Sequence, residues 1–266
     1  MTPPVEPGGK PSNPETDLGR SLFRVDNVDT PRNRIRAVAH TVWLHLHPAK
    51  MPRHGVRFRY TWGAGGLSFL LFLVTLVTGV VLMFVYRPTR AHAYLDLKLI
   101  DFDVPFGMFN RNLHRWAAHL MVIFVWLHML RVFLTGSYKA PRQFNWVVGV
   151  GLMVLTMLLS FTGYLLPWDQ LSMWAVTVGT NMAAATPLIG HEGPFSQSLG
   201  VTPDNDVRAA LLGGATIGDA ALLRFYVFHC VALPVLLGLG MILHFWRVRR
   251  DGGISGPGES AKGEAD

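Results

Sequence analysis

Cysteine is almost missing from this sequence, Cys230 being the only one in 266 residues. That excludes an internal disulfide framework, a four-cysteine metal cluster held by one chain, and the Cys-x-x-Cys-His signature of covalent haem attachment. Charge is scarce as well: 15% of the residues are charged, against roughly 25% in an ordinary soluble domain. The 24 lysines and arginines, with a net charge of +7, are scattered between apolar blocks and form no continuous basic face, which argues against a nucleic-acid partner. There is no P-loop, hydrolase nucleophile motif or internal repeat, and Gly149-Val150-Gly151 lies inside an apolar segment where a dinucleotide loop cannot form. Residues 1–19 lack the apolar stretch of a cleaved signal, and residues 1–30 read as a disordered cytoplasmic tail.

What is abundant is apolar sequence in long runs. Four segments, roughly Trp62 to Tyr86, His114 to Leu134, Trp146 to Pro167 and Phe225 to Trp246, are each long enough to cross a bilayer as a helix. Before them, Ile35, Val38, Ala39, Val42, Trp43 and Leu46 recur on one helical face, with Arg34, Arg36, His40, His45 and His47 opposite; this predicts an amphipathic helix on the membrane surface, its histidines at headgroup level. Lys50, Arg53, Arg57, Arg59, Lys139, Arg142, Arg247, Arg249 and Arg250 fall on one side, which the positive-inside rule makes cytoplasmic together with both termini. The long third connection, Trp168 to Leu223, holds one arginine and five acids and is expected to face outward. Residues 251–266, rich in glycine, serine and charge, read as a second disordered tail.

Ionisable side chains inside a span are costly and need a reason. The second span carries His114, His119 and His128, and the fourth carries His229 and His244. Fourteen steps from His114 to His128 bring the chain within about 40° of a whole number of turns and raise it by about 21 Å. The 15 steps from His229 to His244 leave about 60° of offset, which a kink at Pro234 would absorb. Two such helices, set antiparallel, would bring His114 to His229 at one depth and His128 to His244 at another. Tetrahedral zinc needs four ligands at one level, whereas two imidazoles fill the axial positions of a planar haem iron. The plainer alternative is polar glue between helices, but matched spacing on two helices favours two bis-histidine haems. His119 points away from both levels and is expected to face another helix or a partner.

Glycine repeats the interval: Gly65 and Gly79 in the first span, and Gly149 and Gly163 in the third, are also 14 apart. A flat macrocycle could approach the backbone at these positions, although close helix packing is the ordinary use of small residues. Arg111 and Arg131 each stand three residues from a paired histidine, where a guanidinium could meet a haem propionate.

The motifs His114-Arg115-Trp116, His128 with Arg131, Gly163-Tyr164-Leu165-Leu166-Pro167-Trp168-Asp169-Gln170, Trp174-Ala175, Thr186-Pro187-Leu188-Ile189-Gly190 and Arg224-Phe225-Tyr226 before His229 together resemble the amino-terminal, haem-binding half of the cytochrome b/b6 family over residues 34–250. The four spans and the 15-residue interval look like the split b6 type, while Thr180-Asn181 looks like the unsplit form. The resemblance implies an all-α membrane protein: a four-helix bundle over residues 31–250 holding two non-covalent b-type haems, the lower-potential one on His114 and His229 and the higher-potential one on His128 and His244. It also implies a quinol-oxidation pocket near Ala175, Val178 and Gly179, and an inner quinone site near Arg249. The cysteine that attaches an extra haem in b6-type proteins would fall near Gly63, and is missing. The Pro-Glu-Trp-Tyr motif of the quinol pocket is missing too, so a second small cytochrome b subunit is expected to supply it.

By the same resemblance the chain is expected to be a subunit of a quinol:cytochrome c or plastocyanin-like oxidoreductase, carrying electrons from an outer quinol-oxidation site to an inner quinone-reduction site. A Rieske iron-sulfur protein, a c-type cytochrome and a second copy are its implied partners, in a bacterial cytoplasmic membrane rather than a thylakoid. A cytochrome b anchor of a dehydrogenase or hydrogenase is the alternative; the Gly163 to Trp168 run argues against it.

Overall fold

The computed structural model describes residues 30–32, 34–35, 57–214 and 216–255. The amino-terminal tail, most of the predicted surface helix and residues 256–266 lie outside the described residues. Every regular element among the described residues is helical.

A short helix α1, Phe58–Thr61, ends at Trp62 and Gly63, both in the left-handed region with φ of 55° and 62°. This reversal lets the first span, α2, Ala64–Met83, set off in a new direction. Its 20 residues contain no charge and no proline, and at about 1.5 Å per residue they cover the roughly 30 Å hydrocarbon layer. Then come α3, Ala93–Phe102, and the second span α4, Gly107–Leu134. The latter begins about two turns before His114, because residues 107–113 are helical although they include Asn110, Arg111 and Asn112. The third span is α5, Gln143–Leu165. The third connection folds into α6, Gln170–Ala184, a 3-10 turn, Gln197–Leu199, and α7, Val207–Leu212. The fourth span combines α8, Asp219–Val227, a π-helical turn, Phe228–Ala232, and α9, Leu233–Arg250.

All four spans are long and apolar enough to cross a membrane, and no more than 22% of the residues in the most apolar stretch of any of them are buried. A soluble bundle could not leave so much hydrocarbon outside; lipid covers it. We call the end of the bundle near residues 64, 134, 143 and 250 the tail end, and the opposite end, which holds the long connection, the loop end.

Helix α2 packs chiefly on α4 and α9 on α5, while α4 and the fourth span make no extensive backbone contact. Phe72, Met121, Leu159, Leu233 and Leu237, drawn from all four spans, form a buried apolar layer halfway along the bundle. At the loop end, Leu165, Val176, Leu212, Ala221 and Phe225 fasten the third connection to α5 and α8. Two capping aspartates organise that connection: Asp169 accepts from the Ser172 amide at 2.8 Å and Asp206 from the Ala209 amide at 2.7 Å, satisfying helix-start donors.

Three features depart from expectation. The second and fourth spans run parallel, as alternate spans of one chain must, and not antiparallel. The offset between His229 and His244 is taken up by the π turn, in which the Leu233 amide donates to the Phe228 carbonyl, and not by a kink at Pro234 alone. A π turn inserts one extra residue without unwinding the helix, and Pro234 follows it in the first turn of α9. In addition, residues 251–255 of the predicted disordered tail fold onto the tail end. Asp251 and Ser255 are buried there, and the Tyr60 hydroxyl donates to the Ser255 carbonyl at 2.5 Å.

Candidate cofactor site between the second and fourth spans

The gap between α4 and the fourth span is bridged by imidazoles at two levels. At the loop end the rings of His114 and His229 stand 6.2 Å apart, centroid to centroid; at the tail end His128 and His244 stand 6.3 Å apart. The mid-bundle layer separates them. No group of three or more histidine, cysteine or acidic side chains converges on a metal position among the described residues. Each site is thus a pair, which suits axial ligation and not a tetrahedral cage.

Each of the four predicted glycines lies against its own histidine. A Cβ built on Gly79 would stand 3.1 Å from His114 Cε1, on Gly65 3.1 Å from His128 Cε1, on Gly163 2.6 Å from His229 Cε1, and on Gly149 3.7 Å from His244 Cε1. Side chains at the first three would crowd the rings, so the backbone of α2 and α5 walls both levels. An apolar cavity beside the loop-end pair is lined by Phe72, Gly79, His114, Met121, His229 and Cys230.

Polar groups left over at the tail end point the same way. His244 Nδ1 and Arg131 Nη2 are buried without a hydrogen-bond partner, although Arg131 Nε donates to the Tyr60 carbonyl at 3.1 Å and its guanidinium lies 4.5 Å from the Tyr60 ring centre. A buried guanidinium nitrogen with nothing to bond is costly, and an anionic substituent of a bound cofactor would satisfy it. Arg111 forms an ion pair with Asp101 of α3. His119 is exposed on the bundle surface, its ring 5.7 Å from that of Trp116. Of the positions matched to quinone binding, Val178 is exposed on α6, Ala175 packs on the loop-end cluster, Gly179 abuts the Phe161 ring, and Arg249 is half-buried at the opposite, tail end.

Several contacts were not foreseen. Thr78 Oγ1 lies 2.9 Å from His114 Nδ1, and Thr162 Oγ1 3.3 Å from His229 Nδ1. The signal available in the sequence is the dipeptide Thr-Gly, which precedes the loop-end histidine contacts at 78–79 and 162–163 and is absent from the tail-end positions. His191 Nδ1 and the fully buried Asp206 pair at 2.6 Å, pinching the neck of loop 191–206. Burial alone would push the Asp206 carboxyl up, but the hydrogen bonds from His191 and the Ala209 amide outweigh it and hold it below its ordinary value. Asp96 is held below its ordinary value chiefly by the Arg87 side-chain hydrogen bond. At the tail end, Arg247 and Asp251 form a pair whose side chains are each 1% exposed.

Four membrane spans with facing imidazole pairs at two depths, each against glycine backbone, define the class of membrane cytochromes. The family model described as cytochrome b/b6/petB matches residues 50–252. Cytochrome b6 of Porphyra purpurea is 42% identical over 193 residues, covering 73% of this chain and 83% of that protein; cytochrome b6 of Synechococcus sp. (strain CC9902) is 41% identical over 193 residues, covering 73% and 82%. A solved structure titled hyperthermophilic respiratory complex III superposes with a TM-score of 0.64 at 28% identity, over 83% of this chain and 54% of that one. The chain belongs to the cytochrome b/b6 family. It is thereby an integral membrane, b-type-haem-binding electron-transport protein and a cytochrome b subunit of a multi-subunit bc/b6f-type quinol oxidoreductase.

The missing attachment cysteine also has a local reason. Gly63 sits at φ 62°, where a Cβ would lie 3.2 Å from the Phe58 ring, so this turn favours glycine over any side chain.

Proposed function

We propose that this chain conducts electrons along its bundle axis from the loop end, facing outward, to the tail end, facing the cytoplasm, and that it holds two haems, one at each histidine level. His114 and His229 would bind the first, His128 and His244 the second. Bound haem would supply a one-electron iron couple. The chain's own part is to fix the two imidazole pairs about 21 Å apart along the helix axis and to keep water from the layer between them with Phe72, Met121, Leu159, Leu233 and Leu237. Glycines 65, 79, 149 and 163 leave room beside each pair. Arg131 would bond a propionate with its unpartnered nitrogen, and Arg111 would do the same by giving up Asp101.

The observation that carries this reading is the facing of two histidine pairs between the same two spans at two depths. Quinol would be oxidised at the loop end beside Ala175, Val178 and Gly179, and quinone reduced at the tail end near Arg249. Proposed partners are a second small cytochrome b subunit carrying a Pro-Glu-Trp-Tyr motif, a Rieske iron-sulfur protein, a c-type cytochrome and a second copy of the chain. The membrane is proposed to be a bacterial cytoplasmic membrane, with both tails inside; basic residues gathered at the tail end support the sidedness. Purification from native membranes, with reduced-minus-oxidised spectra and mass spectrometry of co-purified chains, tests all of this. Two b-type haems per chain and a Rieske protein are expected; recovery with a hydrogenase or formate dehydrogenase subunit and no Rieske protein would reject it.

A further inference from the structure

The two histidine levels are chemically unequal. At the loop end Thr78 Oγ1 stands 2.6 Å from the Val74 carbonyl and Thr162 Oγ1 2.9 Å from the Leu158 carbonyl, one helical turn back. Each hydroxyl proton is thus directed at its own backbone, and the oxygen's remaining lone pairs are free to accept. They face His114 Nδ1 at 2.9 Å and His229 Nδ1 at 3.3 Å, and the Leu159 carbonyl lies a further 3.1 Å from the latter nitrogen. A nitrogen surrounded only by acceptors must carry the proton, so both loop-end imidazoles are Nδ1–H tautomers with a bare Nε2. At the tail end the residues preceding the matching glycines are Ala64 and Val148, which have no hydroxyl to offer His128 or His244.

We infer that Thr78 and Thr162 are positioning residues that lower the reduction potential of the loop-end haem relative to the tail-end one. The inference rests on the haem occupancy proposed above. A hydrogen bond donated from Nδ1 makes Nε2 a stronger donor to a metal, and a stronger donor favours the oxidised iron. With a threonine hydroxyl against Nδ1 of each histidine at one level and no hydroxyl at the other, the difference drives electrons from the loop end to the tail end. The same bonds fix the plane of each loop-end ring.

Optical redox titration of the purified complex tests this, with the two couples assigned by His114→Leu and His128→Leu variants. In Thr78→Val the loop-end couple should shift at least threefold toward the reduced form at a given ambient potential, and in Thr162→Val, where the Leu159 carbonyl still accepts from His229 Nδ1, about twofold in the same direction. The double variant should shift about tenfold, which is 59 mV for one electron, while the tail-end couple moves less than twofold. Thr78→Ser, which keeps the hydroxyl, should restore the original value. No shift in the double variant, or an equal shift in both couples, would overturn the inference. If Thr78→Val fails to take up haem, Thr162→Val decides by a shift of the loop-end couple toward the reduced form with the tail-end couple unmoved. A wild-type complex without b-type haem bands would reject the proposed function, a distinct outcome.

Discussion

The loop-end and tail-end sites share one plan and differ in how their surroundings complete it. Both set a histidine of α4 against one of the fourth span, and both borrow a glycine from α2 and another from α5. At the loop end, though, the imidazoles are already bonded to threonines and the nearby charges are paired, Arg111 with Asp101, Arg87 with Asp96 and His191 with Asp206. At the tail end a histidine nitrogen and an arginine nitrogen are buried and unbonded. A membrane interior penalises an unsatisfied polar group by several kcal/mol, so at the tail end an anionic ligand would find an unbonded Arg131 nitrogen to satisfy, whereas Arg111 at the loop end must first release Asp101.

The largest effect expected from breaking this comparison is at the tail-end ion pair. Arg247→Met would leave Asp251 buried without its guanidinium and cost about 3–5 kcal/mol, read as a lower midpoint in thermal unfolding of the detergent-solubilised protein, with loosening of residues 251–255 in hydrogen exchange. Next come the glycines. Gly163→Ala would force a Cβ to 2.6 Å from the His229 ring; overpacking of this kind costs about 1–3 kcal/mol, and haem content at the loop end should fall. Gly149→Ala, with 3.7 Å to the His244 ring, should be tolerated, since ordinary contact leaves the helix-propensity gain of up to about 1 kcal/mol standing. A comparable loss of haem in both variants would show that the two cradles are equally tight.

The smallest effects are acid-induced and confined to the loop end. Asp96 and Asp206 have folded-state pKa values below their unfolded ones. Their contribution to stability is therefore complete above the ordinary carboxylate range, about pH 4, and is lost as pH falls through the depressed folded values. Amide exchange in loop 191–206 should accelerate there. In Asp206→Asn, which retains a capping oxygen but no charge for His191, that acid step should shrink and the loop should be looser at neutral pH. An unchanged acid profile in Asp206→Asn would mean that other groups hold the neck.

Spans and facing histidine pairs were legible because both depend on the helical period: apolar runs reveal the spans, and an interval near a multiple of 3.6 reveals a shared face. The glycine interval was legible for the same reason. The relative direction of the two histidine-bearing spans follows from the number of crossings and not from the pairing by depth: spans two and four of one chain run the same way. The π turn was not legible, since its widened ring depends on which backbone bonds form around Phe228 and Leu233, and proline offered a more familiar explanation for the extra residue. The Arg111–Asp101 pair was not legible, because Asp101 lies on a separate helix that only tertiary packing brings near. The threonines were overlooked because a threonine in a span ordinarily bonds its own helix; Thr78 and Thr162 do so and also reach a neighbouring ring.

The most direct measurement is the pyridine haemochrome count per chain in the intact complex, for the wild type, His114→Leu and His128→Leu. Two haems in the wild type, with one remaining in each variant and a different spectral component lost in each, is the predicted result. An empty wild-type chain, or two haems retained after His128→Leu, would contradict it.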